Sequence, residues 1–455
     1  MHTIILAGGM GTRLWPFQSV RNKAMVPVGN APLVRHMAAR ALRATGGDLT
    51  VAVGPFEAQL SAEFLEHPHV RVLPVGETRG SADTLNKAGE ALGRPACLVL
   101  PCDVLIEESD LRALVERLRR AGNACCLLAP VEDGQQAGEI CARVEDGTLV
   151  DFVGHPFENT GFKPVGYALN EAAWRFVLGG RDVLTNVDVG MMPPDENQLE
   201  LALKRFMDAG GRIEAVMCER PVFDIDKPWH IMEANLHMVH AIAGSLTEIT
   251  LDEGAGIDPS ARIEGHVKLG KRAYIGRNVM IRGNVVVGEG SRIVDGAIIE
   301  GDVLIGRNCM IGPYCQIASA SVIGDNCVVG HCAEFQGVLF DNVALGHFME
   351  IWGVIGQSVD FGAGTLCGTL RFDNAQVSQS VKGRREPAGR YANALYMGDF
   401  SRTGVGAKLM PGLKIGCRSI VGAGVLASED VPDNTALLLK QEHIVKKWGS
   451  ERYGW

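Results

Sequence analysis

A chain of 455 residues is too long for one ordinary core, so two or three domains are expected. With 46% hydrophobic and 21% charged residues it has ordinary soluble composition, and its net charge of -9 supplies no basic stripe for binding nucleic acid. There is neither an apolar run of about eighteen residues nor a charged-then-apolar leader, so no membrane span or secretory signal is expected, and a cytoplasmic location is.

The apolar run 2–7 predicts a buried strand that breaks into Gly8-Gly9-Met10-Gly11-Thr12-Arg13. A glycine-rich turn after the first strand of an α/β unit leaves backbone N–H groups free for phosphate oxygens, and Arg13 and Lys23 add fixed positive charge. The spacing is not that of a dinucleotide fingerprint, because the third glycine is missing. It is not a P-loop either, because no G-K-[ST] follows. Alone, the turn is equally an ordinary strand-to-helix connection.

Helical periodicity follows over 32–44, then strands at 49–53 and 70–75. Gly80-Ser81-Ala82 opens a helix to about Leu92, with Ser81 as a candidate cap. Residues 96–101 read as a buried strand with Asp103 at its carboxyl end, where ligands bind in a mostly parallel sheet. An aspartate there is also a common helix cap. Shorter strands at 124–129, 139–144, 150–153 and 165–169 suit a substrate-side sheet. A helix over 197–209 and a strand over 213–217 follow. Val222-Phe223-Asp224-Ile225-Asp226-Lys227-Pro228-Trp229 then opens a helix to about Ala243, and 247–253 reads as a linker.

From Ile257 to Phe335 a large apolar residue recurs every sixth position, through Ile263, Leu269, Ile275, Ile281 and Val287 onward. Glycine often follows it, and a small or aliphatic residue tends to stand four places on. Period six fits neither a helix nor a simple strand; it marks a hexapeptide β-helix. The register slips between Phe335 and Val343, and a loop over 370–400 interrupts it again. Both are read as excursions from the coil, where function tends to sit. The last twenty residues read as a capping tail. The 12 cysteines contain no C-x-x-C pair and read as reduced, buried thiols.

The combination L-A-G-G-x-G-T-R-L-x-P with K-x-M-V-P-V resembles the signature of the sugar-1-phosphate nucleotidylyltransferases, which join an NTP and a sugar phosphate into an NDP-sugar and pyrophosphate. The second half resembles the left-handed β-helix of the hexapeptide acyltransferases. Phe361 to Leu366, Leu370 to Asp373, Val381 to Arg385 and Arg402 to Gly416 match the archaeal-type bifunctional nucleotidylyltransferase/N-acetyltransferases. The expected fold is therefore a Rossmann-like α/β nucleotidyltransferase domain at 1–245 and a left-handed parallel β-helix at 246–455, ending in a short tail and forming a homo-oligomer, a trimer or a multiple of three.

The resemblance implies a site residue by residue. Leu6, Ala7, Gly8, Gly9, Gly11 and Thr12, with Gly80, Ser81 and Ala82, would bind the nucleotide. Arg13 would brace the β- and γ-phosphates and Lys23 the α-phosphate or the incoming phosphate. Asp103 and Asp224 would hold Mg²⁺, although Asp226 replaces the glycine usual in D-[IV]-G-T-P-W and leaves open which carboxylate points inward.

The sugar side departs from the pattern. Gly154-His155-Pro156 replaces E-K-P, whose glutamate contacts sugar hydroxyls and whose lysine contacts the sugar's phosphate. Pro164-Val165-Gly166 replaces a segment with asparagine, and Val75 replaces a glutamine that reads a pyrimidine. Gly138, Gly166 and His155 remain as substrate-side candidates. His347 would be the base for acyl transfer from acetyl-CoA if that second activity is retained, but Glu350, Thr369, Ala375 and Ser378 replace its usual companions. A third alternative is a non-catalytic nucleotide-sugar sensor.

Overall fold

The computed structural model describes residues 1–132, 136–154, 156, 158–177 and 196–449. Its first elements are β1 (His2–Ala7), α1 (Leu33–Thr45), β2 (Leu49–Val53), α2 (Glu57–Glu63), β3 (Val70–Pro74) and α3 (Ser81–Leu92). Next come β4 (Cys97–Pro101), β5 (Val104–Leu105), α4 (Glu108–Ala121), β6 (Ala124–Pro130), β7 (Ile140–Glu145), β8 (Thr148–Gly154) and β9 (Phe162–Leu169). The half closes with α5 (Glu171–Trp174), α6 (Leu199–Asp208), β10 (Ile213–Met217), β11 (Phe223–Asp224) and α7 (Pro228–Ile242).

Nine strands form one sheet in the order β3-β2-β1-β4-β9-β6-β10-β8-β7. The block β3-β2-β1-β4 is parallel, as alternating strands and helices require. The strands after residue 124 do not make the separate sheet expected of them. They extend the same sheet, with β9 antiparallel to both β4 and β6, so the sheet is mixed. The reason lies in β6, buried along six of its seven residues: it fits only the interior of a large sheet. α4 is missing from the sequence expectation, yet Leu111, Leu114, Val115 and Leu118 give it a buried stripe at helical spacing.

From Thr250 the chain winds as a parallel solenoid of two- and three-residue strands, consistent with the expected left-handed β-helix. The hexad residues point inward: Ile275, Ile281, Ile293 and Ile299 are fully buried, and each pairs with the residue eighteen positions on. Residues 250–251 already pair with 268–269, so the expected linker ends inside the first coil.

The first register slip is not an excursion. Glu334–Leu339 and Glu350–Ile355 are single strands running through a corner, with Gly337 and Gly353 at positive φ. Partners there lie sixteen apart (Glu334↔Glu350), so the coil is shortened by two residues. The second slip is a true excursion, a hairpin of Ser378–Val381 and Arg384–Pro387. The tail stays exposed over 438–448 and adds no strand to the solenoid.

One outer face of the solenoid is apolar. Val286, Leu304, Val322, Val338, Val354 and Tyr396 point out of the coils and join the core cluster of the first half. Phe17 packs on Phe340 with ring centroids 5.5 Å apart, and Arg21 pairs with Asp399 at 2.5 Å. At about 1.5–3 kcal/mol for each fully buried aliphatic side chain, this seam fixes the two halves against each other. All twelve cysteines are free thiols, ten of them buried. Among the described residues no helix is long and apolar enough to cross a membrane.

Candidate active site

The glycine turn leaves the carboxyl end of β1, with Leu6 and Ala7 buried in the strand. Gly8 is required by crowding: a Cβ there would stand 2.5 Å from Thr84 Oγ1 on α3. Gly11 has φ 60° and lies directly over the Lys23 side chain, where a Cβ would come within 3.3 Å of Lys23 Cβ. Gly9 and Thr12 face solvent. Asn22 anchors the next turn: its Oδ1 accepts from Ala24 N–H at 2.9 Å, and its Nδ2 donates to Ala7 C=O at 3.2 Å. Lys23 is thereby driven inward and is only 6% exposed.

The carboxylates come from the far end of β4 and from the segment before α7. Two short antiparallel strands, β5 and β11, pair Val104 with Asp224, and Ile225 N–H donates to Asp103 C=O at 2.8 Å. This ladder places oxygens of Asp103, Asp224 and Asp226 within 4.8 Å of one another. Lys23 Nζ donates to Asp103 Oδ2 and to Asp226 Oδ1, both at 2.5 Å. Arg13 pairs with Asp226 Oδ2 at 2.5 Å. On the other side Lys163, from β9, reaches Asp224 Oδ2 at 3.0 Å and Glu139 Oε1 at 3.1 Å.

Four carboxylates thus face three cations, leaving one uncompensated negative charge when all are ionised. Burial pushes the Asp103 carboxyl up, the neighbouring Asp224 and Asp226 add to that, and Lys23 opposes it. Burial and the same neighbours raise Glu139. For Asp226, burial is outweighed by Lys23 and Arg13 together, and its carboxyl falls below the usual range. The ammonium of Lys23 is held well above its ordinary pKa, because Asp103 and Asp226 together overcome its desolvation. His230, which accepts from Asp226 N–H at 3.3 Å, is pushed down to about 4 by burial and stays neutral at pH 7. Three hard oxygen donors so close together suit a divalent cation such as Mg²⁺, which takes carboxylate oxygens and keeps several waters.

The other expected residues fall in different places. Gly80, at φ 126°, lies against the chain at Asn197, where a Cβ would meet Asn197 C=O at 2.5 Å. Ser81 does not cap its own helix: its Oγ accepts from Leu199 N–H at 2.8 Å, while Ala82 N–H donates to Asn197 C=O at 2.9 Å. Gly138 is exposed beside Glu139, and Gly166 sits in β9, where a Cβ would stand 3.1 Å from Leu100. His155 lies outside the described residues. His347 is exposed on the solenoid, its Nδ1 3.0 Å from His331 Nδ1.

Sequence reasoning missed Glu139 and Lys163 and left Asp226 ambiguous. The D-x-D spacing carried a signal for Asp226, since residues two apart in an extended segment share a face. Glu139 and Lys163 meet only because β7, β9 and β11 converge in three dimensions.

Residues 3–185 match the MobA-like NTP transferase domain, and residues 246–340 match the GMPPB C-terminal domain. The chain is similar to the bifunctional protein GlmU of Methanococcus maripaludis strain C7. The two are 29% identical over 470 residues, covering 98% of this chain and 99% of that protein. A stretch of 75 residues, 16% of this chain and 19% of the relative, is 40% identical to the bifunctional sugar-1-phosphate nucleotidylyltransferase/acetyltransferase of Sulfurisphaera tokodaii. Among solved structures, the UTP-bound UGPase of Acinetobacter baumannii overlays with a TM-score of 0.44 at 18% identity, covering 53% of this chain and 93% of that one. The first half thus matches an NTP transferase domain model, and the second half winds as a parallel solenoid.

Proposed function

We propose that the protein transfers a nucleotidyl group from an NTP to a sugar-1-phosphate, or a related phosphorylated sugar analogue, and releases pyrophosphate. The observation that carries this reading is the convergence of Arg13 and Lys23, under the glycine turn, on the carboxylates of Asp103, Asp224 and Asp226. In the reaction an oxygen of the sugar's phosphate attacks the α-phosphorus. A new P–O bond forms, the bond from the α-phosphorus to the oxygen bridging it to the β-phosphorus breaks, and pyrophosphate leaves with the electron pair.

Such a transfer is catalysed mainly by positioning and by stabilising concentrated negative charge. The turn's N–H groups and Arg13 would hold the β- and γ-phosphates, and Lys23 the α-phosphate, each cation exchanging a carboxylate for a phosphate partner when the nucleotide enters. Asp103 and Asp224, joined by Asp226, would hold Mg²⁺, which supplies further neutralisation of the phosphates. Glu139 and Lys163 provide, from two separate elements, the carboxylate and lysine that the E-K-P segment would have supplied. Lys163 therefore replaces His155 in our reading as the partner of the sugar's phosphate. Residues 1–245 would form the transferase domain and 246–455 the β-helix, with trimer formation through the latter. Acyl transfer at His347 draws on the names of the bifunctional relatives and on its proximity to His331, but Glu350, Thr369, Ala375 and Ser378 stand where its usual companions would be.

The test is pyrophosphate release from a panel of NTPs against sugar and polyol phosphates, with Mg²⁺. A productive pair supports the reading. Silence across the panel, with nucleotide binding still visible by thermal shift, would replace it with the sensor alternative.

A further inference from the structure

The hairpin thrown out by the β-helix does not hang free. It lies beside the glycine turn of the other half, and the two border an open pocket of about 260 Å³. Thr12, Arg13, Trp15 and Gln18 line one side, and Ser380 and Lys382 line the other.

The hairpin is held there by several contacts. Lys227, next to the carboxylate segment, pairs with Glu386 at 2.6 Å. Gln379, fully buried, donates to Ala392 C=O at 2.7 Å and to Gly412 C=O at 3.0 Å. Lys414, buried between the rings of Trp15 and Trp229, donates to Ser380 C=O at 2.6 Å.

The lining brings two cationic side chains, Arg13 and Lys382, to one pocket, which points to an anionic ligand. Lys382 stands exposed at the tip, and no described carboxylate pairs with it. Its backbone is also held at φ 48°, a conformation that disfavours lysine and that Asn or Gly would adopt more readily. A cation at that strained position, facing Arg13 across a pocket contiguous with the phosphate-binding turn, suits a polyanion.

We propose that the β-helix contributes to the nucleotide site: Lys382 binds the pyrophosphate portion of the NTP opposite Arg13. This rests on the nucleotidyl-transfer reading and deepens it. The transferase half then carries an incomplete triphosphate site, which the hairpin of the second half completes.

Lys382→Asn tests this cleanly, because Asn-Gly at 382–383 is the preferred sequence for a two-residue hairpin turn with both central residues at positive φ. The charge is removed while the turn is kept. Against wild type, the full-length K382N protein should show a KM for NTP raised about tenfold or more, with the KM for the sugar phosphate within twofold. K382R should restore most of the loss. Titration of inorganic pyrophosphate by calorimetry should show the same weakening in K382N without any turnover. An unchanged pyrophosphate affinity together with an unchanged KM for NTP in an active enzyme would overturn the inference. A wild type that binds pyrophosphate in a Lys382-dependent way but turns over no NTP would instead overturn the reading beneath it.

Discussion

Replacing Lys23 by Met probes the centre of the site, because one buried ammonium bridges two carboxylates. Each N–O separation is 2.5 Å, which at an effective dielectric constant of about 20 corresponds to roughly 6–7 kcal/mol of gross attraction per pair. Desolvation of Lys23 offsets most of this. The measurable cost of leaving Asp103 and Asp226 with Arg13 alone should be about 3–5 kcal/mol in metal-free buffer. The loss also takes the cluster from one uncompensated negative charge to two.

Two linked effects follow. A divalent cation becomes a better partner for the three aspartates, so millimolar Mg²⁺ should raise the unfolding temperature of Lys23→Met more than that of wild type. The deficit should also shrink on acidification. In wild type the depressed Asp226 carboxyl contributes stability above the unfolded-state pKa near 4 and loses it as pH falls below that. In the variant Asp103, already raised by burial, can take up a proton first and relieve the repulsion. Thermal unfolding of both proteins at pH 7.5 and pH 5, with and without MgCl₂, reads all three effects. A variant as stable as wild type without metal, or equal Mg²⁺ shifts in the two proteins, would refute the charge accounting.

Asp103→Asn should lower Mg²⁺-dependent turnover by about a hundredfold or more while circular dichroism and the melting curve stay near wild type; retained activity would remove Asp103 from the metal site. Lys163→Met should raise the KM for the sugar phosphate by about tenfold and leave that for NTP within twofold, and the reverse pattern would assign Lys163 to the nucleotide. Lys414 is lowered to about 8 by burial, from an unfolded-state value of 10.5. The unfolded chain therefore binds the extra proton between those values, and Lys414 should contribute a component of up to about 3 kcal/mol that favours the folded state increasingly as pH rises from 8 to 10.5, against the opposite trend of the buried thiols. Melting curves of Lys414→Met should lack that component, and parallel pH profiles would show that the amine is not desolvated as the structure has it.

The sequence made legible whatever depends on local pattern. The glycine turn and Asp103 sit at strand ends that hydropathy locates, Lys23 is singled out only by the resemblance of its motif, and the hexad repeat names the inward residues of the solenoid one by one. The shortened coil at Glu334–Leu339 was misread because deletion of two residues and insertion of a loop both break a period of six. The seam between halves carried a subtler signal: Val286, Leu304 and Val322 stand eighteen residues apart, one per coil, as outward apolar residues. A stripe on a single outer face marks a covered face. Glu139, Lys163 and Lys382 escaped because each comes from a different element and joins the site only through tertiary packing. Lys163 does so through a β9 that turned out antiparallel, and Lys382 through a hairpin more than two hundred residues downstream of it in the chain.

Nucleotidyl transfer turns on the fate of one phosphorus atom, and NTP labelled at the α-phosphorus follows it directly. With Mg²⁺ and an accepted sugar phosphate, the label should appear in a nucleoside diphosphate sugar, with one unlabelled pyrophosphate released for each labelled product. Label recovered as nucleoside monophosphate, or left in NTP while acceptor is consumed, would contradict nucleotidyl transfer.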